Sequence, residues 1–127
     1  MSSPSPLPAM HTRALGQRME TWACHYLEQQ GLRLLARNYH ARCGELDLVM
    51  TDDDVCVFVE VRYRVRSQYG SPLDSVTPLK QRRLVRAAHH YLMHHPLDMP
   101  CRFDIIGLSG QVHTPTIEWV RHAFDAC

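Results

Sequence analysis

Gly44–Arg64 reads GELDLVMTDDDVCVFVEVRYR, and the fold depends on how this stretch pairs with itself. Side chains in a strand alternate between faces with a period of two. In Gly44–Met50 that period sets Leu46, Leu48 and Met50 on one side and Glu45 and Asp47 on the other. In Val55–Val65 it sets Val55, Val57, Val59, Val61 and Tyr63 against Cys56, Phe58, Glu60, Arg62 and Arg64. Asp52, Asp53 and Asp54 form a polar turn between the two runs, so the stretch predicts a β-hairpin.

Register then decides the chemistry. A loop of two residues (Asp53, Asp54) or of four (Asp52–Val55) sets Asp47 opposite Glu60 and Glu45 opposite Arg62. A three-residue loop without a bulge puts Asp47 and Glu60 on opposite faces. The even loop is favoured because it also aligns Leu46, Leu48 and Met50 with Val57, Val59 and Val61 in one apolar face, which burial holds in register. Two facing carboxylates repel unless something positive lies between them, and a divalent cation meets that need. Mg²⁺ or Mn²⁺ held by carboxylates beside a basic side chain can activate water and stabilise a phosphoryl transition state, which points to phosphodiester hydrolysis. The competing reading is a solvated sheet face carrying Glu45–Arg62 and Glu60–Arg64 ion pairs.

Outward from the hairpin, the 127 residues are 45% hydrophobic and 21% charged, which suits one domain with one core. A formal charge of +1 is too small to favour nucleic acid or membrane, so any electrostatic case has to be local. Cys24, Cys43, Cys56, Cys101 and Cys127 are odd in number and contain no Cys-x-x-Cys pair, which favours reduced thiols over a disulfide framework or a ribbon-type zinc site. No apolar run approaches the ~20 residues that cross a bilayer, and the start lacks the pattern of a secretory signal. A cytoplasmic address without membrane contact is therefore expected.

Residues 1–12, with Ser3, Pro4, Ser5, Pro6 and Pro8, read as a flexible tail ahead of a single domain over 13–127. Gly16–Gln30 carries Met19, Trp22, Ala23, Tyr26 and Leu27 at helical spacing, and Gly31 stands where a left-handed C-terminal cap is expected. Leu32–Tyr39 is a short strand candidate. Gln68–Pro78 reads as loop, ending in Thr77 as N-cap and Pro78 at the first helical position. The second helix should run to about His95, with Leu84, Val85, Ala88, Tyr91 and Leu92 toward the core and Arg82, Arg83, Arg86 and His90 away from it. Arg102–Leu108 and Ile117–Val120 are further strand candidates.

Gly44-Glu45-Leu46-Asp47-Leu48 followed by Phe58-Val59-Glu60-Val61-Arg62-Tyr63-Arg64 resembles the YraN family of bacterial proteins, which itself resembles archaeal Holliday-junction resolvases. The likeness extends through Gly16, Glu20, Asn38-Tyr39, Gly70, Lys80, Arg102-Phe103-Asp104, Ile117-Glu118-Trp119 and Ala123-Phe124, and spans roughly residues 14–125. It implies an α/β restriction-endonuclease-like core, a mixed β-sheet flanked by helices, in which an acid on one strand and an acid-x-lysine tripeptide on the next form the metal site. By position, the resemblance makes Asp47 the central aspartate, Glu60 the acid of the tripeptide, and Glu20 similar to the extra helical glutamate of resolvases. These three would hold Mg²⁺ or Mn²⁺.

Arg62 stands in the lysine position. An arginine keeps its proton at working pH, so it can clamp a phosphate or stabilise developing charge but cannot act as a general base. Lys80, the only lysine beside thirteen arginines, falls in the first turn of the second helix and could replace the missing lysine; the bland alternative is a surface residue. Pro72-Leu73-Asp74 follows the acid-x-basic tripeptide instead of preceding it, and is not read as a proline-aspartate motif.

Arg64 and Arg66 continue the strand from Arg62, and Arg82, Arg83 and Arg86 cluster on the next helix, so both sets could line one groove for phosphates with Tyr69 stacking on a base. The alternative is that arginines simply cover a solvated face. His90 and His94 lie four apart, but without a His-Glu-x-x-His pattern they read as a solvated helix end. Asp104 is expected to pair with Arg102 or to cap the site from behind, and a structural role is favoured over one that supports the metal ligands. The leading expectation is a metal-dependent endonuclease acting on DNA, with branched or recombination intermediates as candidate substrates. A catalytically inactive nucleic-acid-binding module and an adaptor docked on a DNA-processing protein are the alternatives, and a homodimer is compatible with each.

Overall fold

A computed structural model describes residues 9–65 and 70–125. The elements run α1 (Ala9–Gln29), β1 (Arg33–Ala41), β2 (Gly44–Asp52), β3 (Val55–Arg64), a 3₁₀ turn (Pro72–Ser75), α2 (Pro78–His94), β4 (Cys101–Ser109) and β5 (Thr116–Phe124). The strands form one sheet in the order β1-β2-β3-β4-β5, antiparallel except for β3 beside β4. This is the expected mixed sheet flanked by helices. The parallel pair needs a crossover, and α2 supplies it.

The central hairpin has its two-residue turn at Asp53–Asp54, with Asp53 in the left-handed region that aspartate tolerates. Its register pairs Asp52 with Val55 and Leu48 with Val59, as the even loop requires. Helices cover both faces of the sheet. Met19, Ala23 and Leu27 of α1 pack on Leu48, Met50, Val57, Val59, Ile106 and Leu108. Leu84, Ala87, Ala88 and Tyr91 of α2 pack on Val49, Cys56, Phe58, Phe103 and Ile105. A strand buried on both faces explains the near-continuous apolar run of Val55–Val59. Leu46 departs from the expected apolar face: it joins the α2-side cluster with Tyr39 and Val49.

Local signals place the helix ends. At the end of α1, Leu32 N–H donates to Leu27 O and Gly31 N–H to Glu28 O, each at 3.0 Å, with Gly31 at φ +99°. These are the two hydrogen bonds of a Schellman cap. Thr77 Oγ1 accepts from Lys80 N–H at 3.1 Å to cap α2, ahead of Pro78. α1 starts seven residues before the expected Gly16. Residues 1–8 lie outside the described residues, but Ala9–Thr12 is already helical. Ala9–Leu15 contains neither proline nor glycine, and Gly16 weakens a helix without ending it. Among the described residues, no helix is long and apolar enough to cross a membrane.

Candidate active site

The β2–β3 ladder stops at Leu48 and Val59. Beyond that point β2 follows β1 as far as Ala41–Gly44, whereas β3 follows β4 from Glu60–Ile105 to Arg64–Ser109. The hairpin therefore opens into a fork, with Asp47 on one prong and Glu60 on the other. The expected backbone pairing of Asp47 with Glu60 is not formed. Instead the Asp47 side chain bridges the gap, its Oδ2 accepting from Val61 N–H at 2.8 Å. That bond satisfies a donor the ladder has left free. Asp47 nevertheless stays near enough for its charge to act on the Glu60 carboxyl. Glu45 does not face Arg62; it pairs across β1 with His40, Oε2 to Nδ1 at 3.0 Å.

Glu60 is not on a solvated face: it is 4% exposed. Arg62 Nη1 stands 3.5 Å and Lys80 Nζ 3.6 Å from the same Glu60 Oε2, so Lys80 of α2 does reach the hairpin. The expected Glu60–Arg64 pair is absent, because Arg64 Nη2 donates to Gly70 O at 3.0 Å. Burial first, and the Asp47 charge second, push the Glu60 carboxyl up to about 8 despite both cations. Near neutral pH this favours the protonated form of Glu60.

Glu20 enters from α1 and lines a cleft of 260 Å³ with Leu15, Gly16, Met19, Asp47, Val61 and Tyr63. Burial, then the Asp47 charge, raises its carboxyl as well. Arg37 Nη2 lies 3.7 Å from Glu20 Oε1, within ion-pair range but too far for a hydrogen bond, and that oxygen is buried without a hydrogen-bond partner. Among the described residues, no three His, Cys, Asp or Glu side chains already stand together as a ligand set. The donor chemistry nevertheless suits a hard cation: three carboxyls, two held above their ordinary range by burial and by the third, one with an orphaned oxygen.

The model of the family described as "Uncharacterised protein family UPF0102" matches residues 19–108, which include the fork, Glu20 and Lys80. The chain belongs to the UPF0102 family. It is 49% identical over 119 residues to a UPF0102 protein of Nitrosococcus oceani, covering 92% of this chain and 95% of the relative. A UPF0102 protein of Nitrosomonas europaea is 49% identical, covering 87% and 92%, and one of Coxiella burnetii is 45% identical, covering 90% and 94%. The family resemblance read from the hairpin is borne out.

In this UPF0102 chain Arg83 does not share a groove with Arg82 and Arg86. Arg82 and Arg86 line a 370 Å³ groove with Pro78, Val85, His89 and Phe124, on the β5 flank of α2. Arg83 lies on the other flank, against the β1–β2 turn with Arg42, His40 and Glu45. The helical period separates them, which a cluster on paper conceals. Arg66 and Tyr69 lie outside the described residues. His90 does not point to solvent: its Nδ1 meets Tyr39 Oη at 2.5 Å, and its ring stacks on His94.

Asp104 has the structural role expected. It accepts from Arg102, from Trp119 Nε1 at 2.9 Å and from His122 N–H at 2.9 Å. Two residues at the site had gone unnoticed, Arg37 beside Glu20 and Ser75, which accepts from Arg62. Nothing in the strand pattern marks Arg37. The Ser-Pro-x-Asp run at Ser71–Asp74 does signal an ordered turn, and Ser75 closes it.

Proposed function

We propose that this UPF0102 chain is a metal-dependent nuclease, built on a restriction-endonuclease-like core, that hydrolyses DNA phosphodiesters, with branched or recombination intermediates as candidate substrates. The observation that carries this reading is the fork, where Asp47 and Glu60 stand on parting strands, Glu20 lines a cleft with Asp47, and Arg62 and Lys80 share one oxygen of Glu60. Asp47, Glu60 and Glu20 are the residues that would hold Mg²⁺ or Mn²⁺. Once bound, the ion supplies a Lewis acid and a water of lowered pKa. Arg62 binds a phosphate oxygen and offsets charge developing on it. Lys80 takes the place of the lysine absent from position 62: its ammonium reaches the acid of the tripeptide from α2 instead of from the strand.

The fixed charge of Arg62 favours a second reading, a module that binds nucleic acid without cutting it. Cleavage of labelled single-stranded, duplex and four-way-junction DNA with Mn²⁺, Mg²⁺ or a chelator separates the two. Metal-dependent cutting, lowered at least 10²-fold in Asp47→Ala and Glu60→Ala, is the expected result. Binding without cutting, equal in both variants and the parent, supports the module.

A further inference from the structure

We propose that the 3₁₀ turn Pro72–Ser75 is a clasp that presets the Arg62 guanidinium for a phosphate oxygen, with Ser75 as its positioning residue. Arg62 Nε donates to Ser75 Oγ at 3.2 Å and Nη2 to Ser75 O at 3.1 Å, while Nη1 stands 3.5 Å from Glu60 Oε2. One edge of the planar fork is thus tied to the turn and its tip to the acid. A guanidinium has five N–H donors, so this arrangement leaves N–H groups on both terminal nitrogens for a ligand. The side chain is 36% exposed, enough for a ligand to reach it.

The turn is built to hold that grip. Ser75 Oγ donates its own hydrogen bond to Pro72 O at 2.7 Å, which fixes the hydroxyl as acceptor toward Arg62. Ser71 closes a capping box with Leu73 N–H and Asp74. Pro72 rests on Gly107, where an added Cβ would come within 2.3 Å of Pro72 Cγ. Gly107 is also the β4 register partner of Arg62, so the seat of the clasp adjoins the root of the side chain it holds. Gly70, at φ +93°, brings the chain in where a Cβ would meet Asp74 Oδ2 at 2.4 Å.

A free arginine loses much rotamer entropy when it binds a ligand, and one already held loses little. The identity of the ligand rests on the nuclease reading, but the grip itself does not. The test therefore has two arms. In the free protein, the Arg62 Nε–H resonance, assigned by its loss in Arg62→Lys, is expected to exchange slowly with solvent, to collapse in Ser75→Ala and Gly107→Val, and to persist in Ser75→Thr. In the second arm, thymidine 3′,5′-bisphosphate is titrated with Ca²⁺ present. Ser75→Ala is expected to weaken binding about tenfold, with Ser75→Thr restoring it, and to have no further effect in an Arg62→Ala background.

A fast-exchanging Nε–H in the parent protein overturns the clasp. So does parent-like binding by Ser75→Ala where Arg62→Ala binds poorly, an outcome that leaves the nuclease reading standing. A protected Nε–H in a parent protein that neither binds the bisphosphate nor cuts DNA removes the nuclease reading, and the phosphate role of the clasp with it. Thermal midpoints of the Ser75 variants, expected within a few degrees of the parent, separate loss of the grip from loss of the fold.

Discussion

At Glu60 burial and the Asp47 charge favour the proton, while Lys80 and Arg62 oppose it, and the carboxyl rises to about 8 from its ordinary 4.5. Between those values the folded chain holds a proton that the unfolded chain has released, so folding stability falls as pH rises through this window. Glu60→Gln removes that dependence. Urea titrations of the metal-free protein at pH 5 and pH 8.5 should show the parent losing on the order of a few kcal/mol that the variant keeps. An equal loss in both would mean that Glu60 is not the group responsible. Asp104 is also buried, and donors from Arg102, Trp119 and His122 occupy both of its side-chain oxygens. Asp104→Ala leaves the 15%-exposed Arg102 side chain with Asp52 alone and should cost about 3–5 kcal/mol in chemical denaturation.

At the scale of elements, much was legible because the signals are local. Strand alternation, three consecutive aspartates, Thr77-Pro78 and Gly31 each act over a few residues, and the hairpin turn, the α2 cap and the α1 cap all form where they point. Gly31 offers a clean test: a Cβ there meets nothing within 4 Å, yet φ is +99°. Gly31→Ala should therefore destabilise the protein by about 1–2 kcal/mol through backbone conformation alone. Its urea midpoint should fall with the slope unchanged. The strand pattern misled at Leu46 and at the Asp47–Glu60 pairing for one reason. Alternation assumes a continuous ladder, and β2 and β3 part company after Leu48 and Val59.

For the whole molecule, the candidate site draws on three layers: Glu20 from α1 beside Asp47 of the sheet, and Lys80 from α2 beside Glu60. A cation held there would tie these layers together, and ligands that bind only the folded state stabilise it by mass action. Mn²⁺ at about one hundred times its dissociation constant should raise stability by about 2.7 kcal/mol, read as a rise in thermal midpoint. The rise should be larger at pH 8.5 than at pH 6, since Glu60 must release its proton to serve as a ligand. Asp47→Ala should abolish it, and a rise that persists in that variant would place the ion elsewhere.

The amino-acid sequence by itself determined the hairpin with an even turn, both helices, the C-terminal cap of α1 and the N-cap of α2, and the acids and arginine that the fork displays. These follow from side-chain period and turn chemistry, which need no distant partner. Only the tertiary structure decided that the hairpin opens at Asp47, because β1 and β4 hold β2 and β3 on diverging courses. It also decided that Lys80 meets Glu60, that Ser75 grips Arg62, and that Arg82 and Arg86 face away from Arg83. Those outcomes depend on how α2 and the turn before it settle onto the sheet, and packing across the fold sets that orientation.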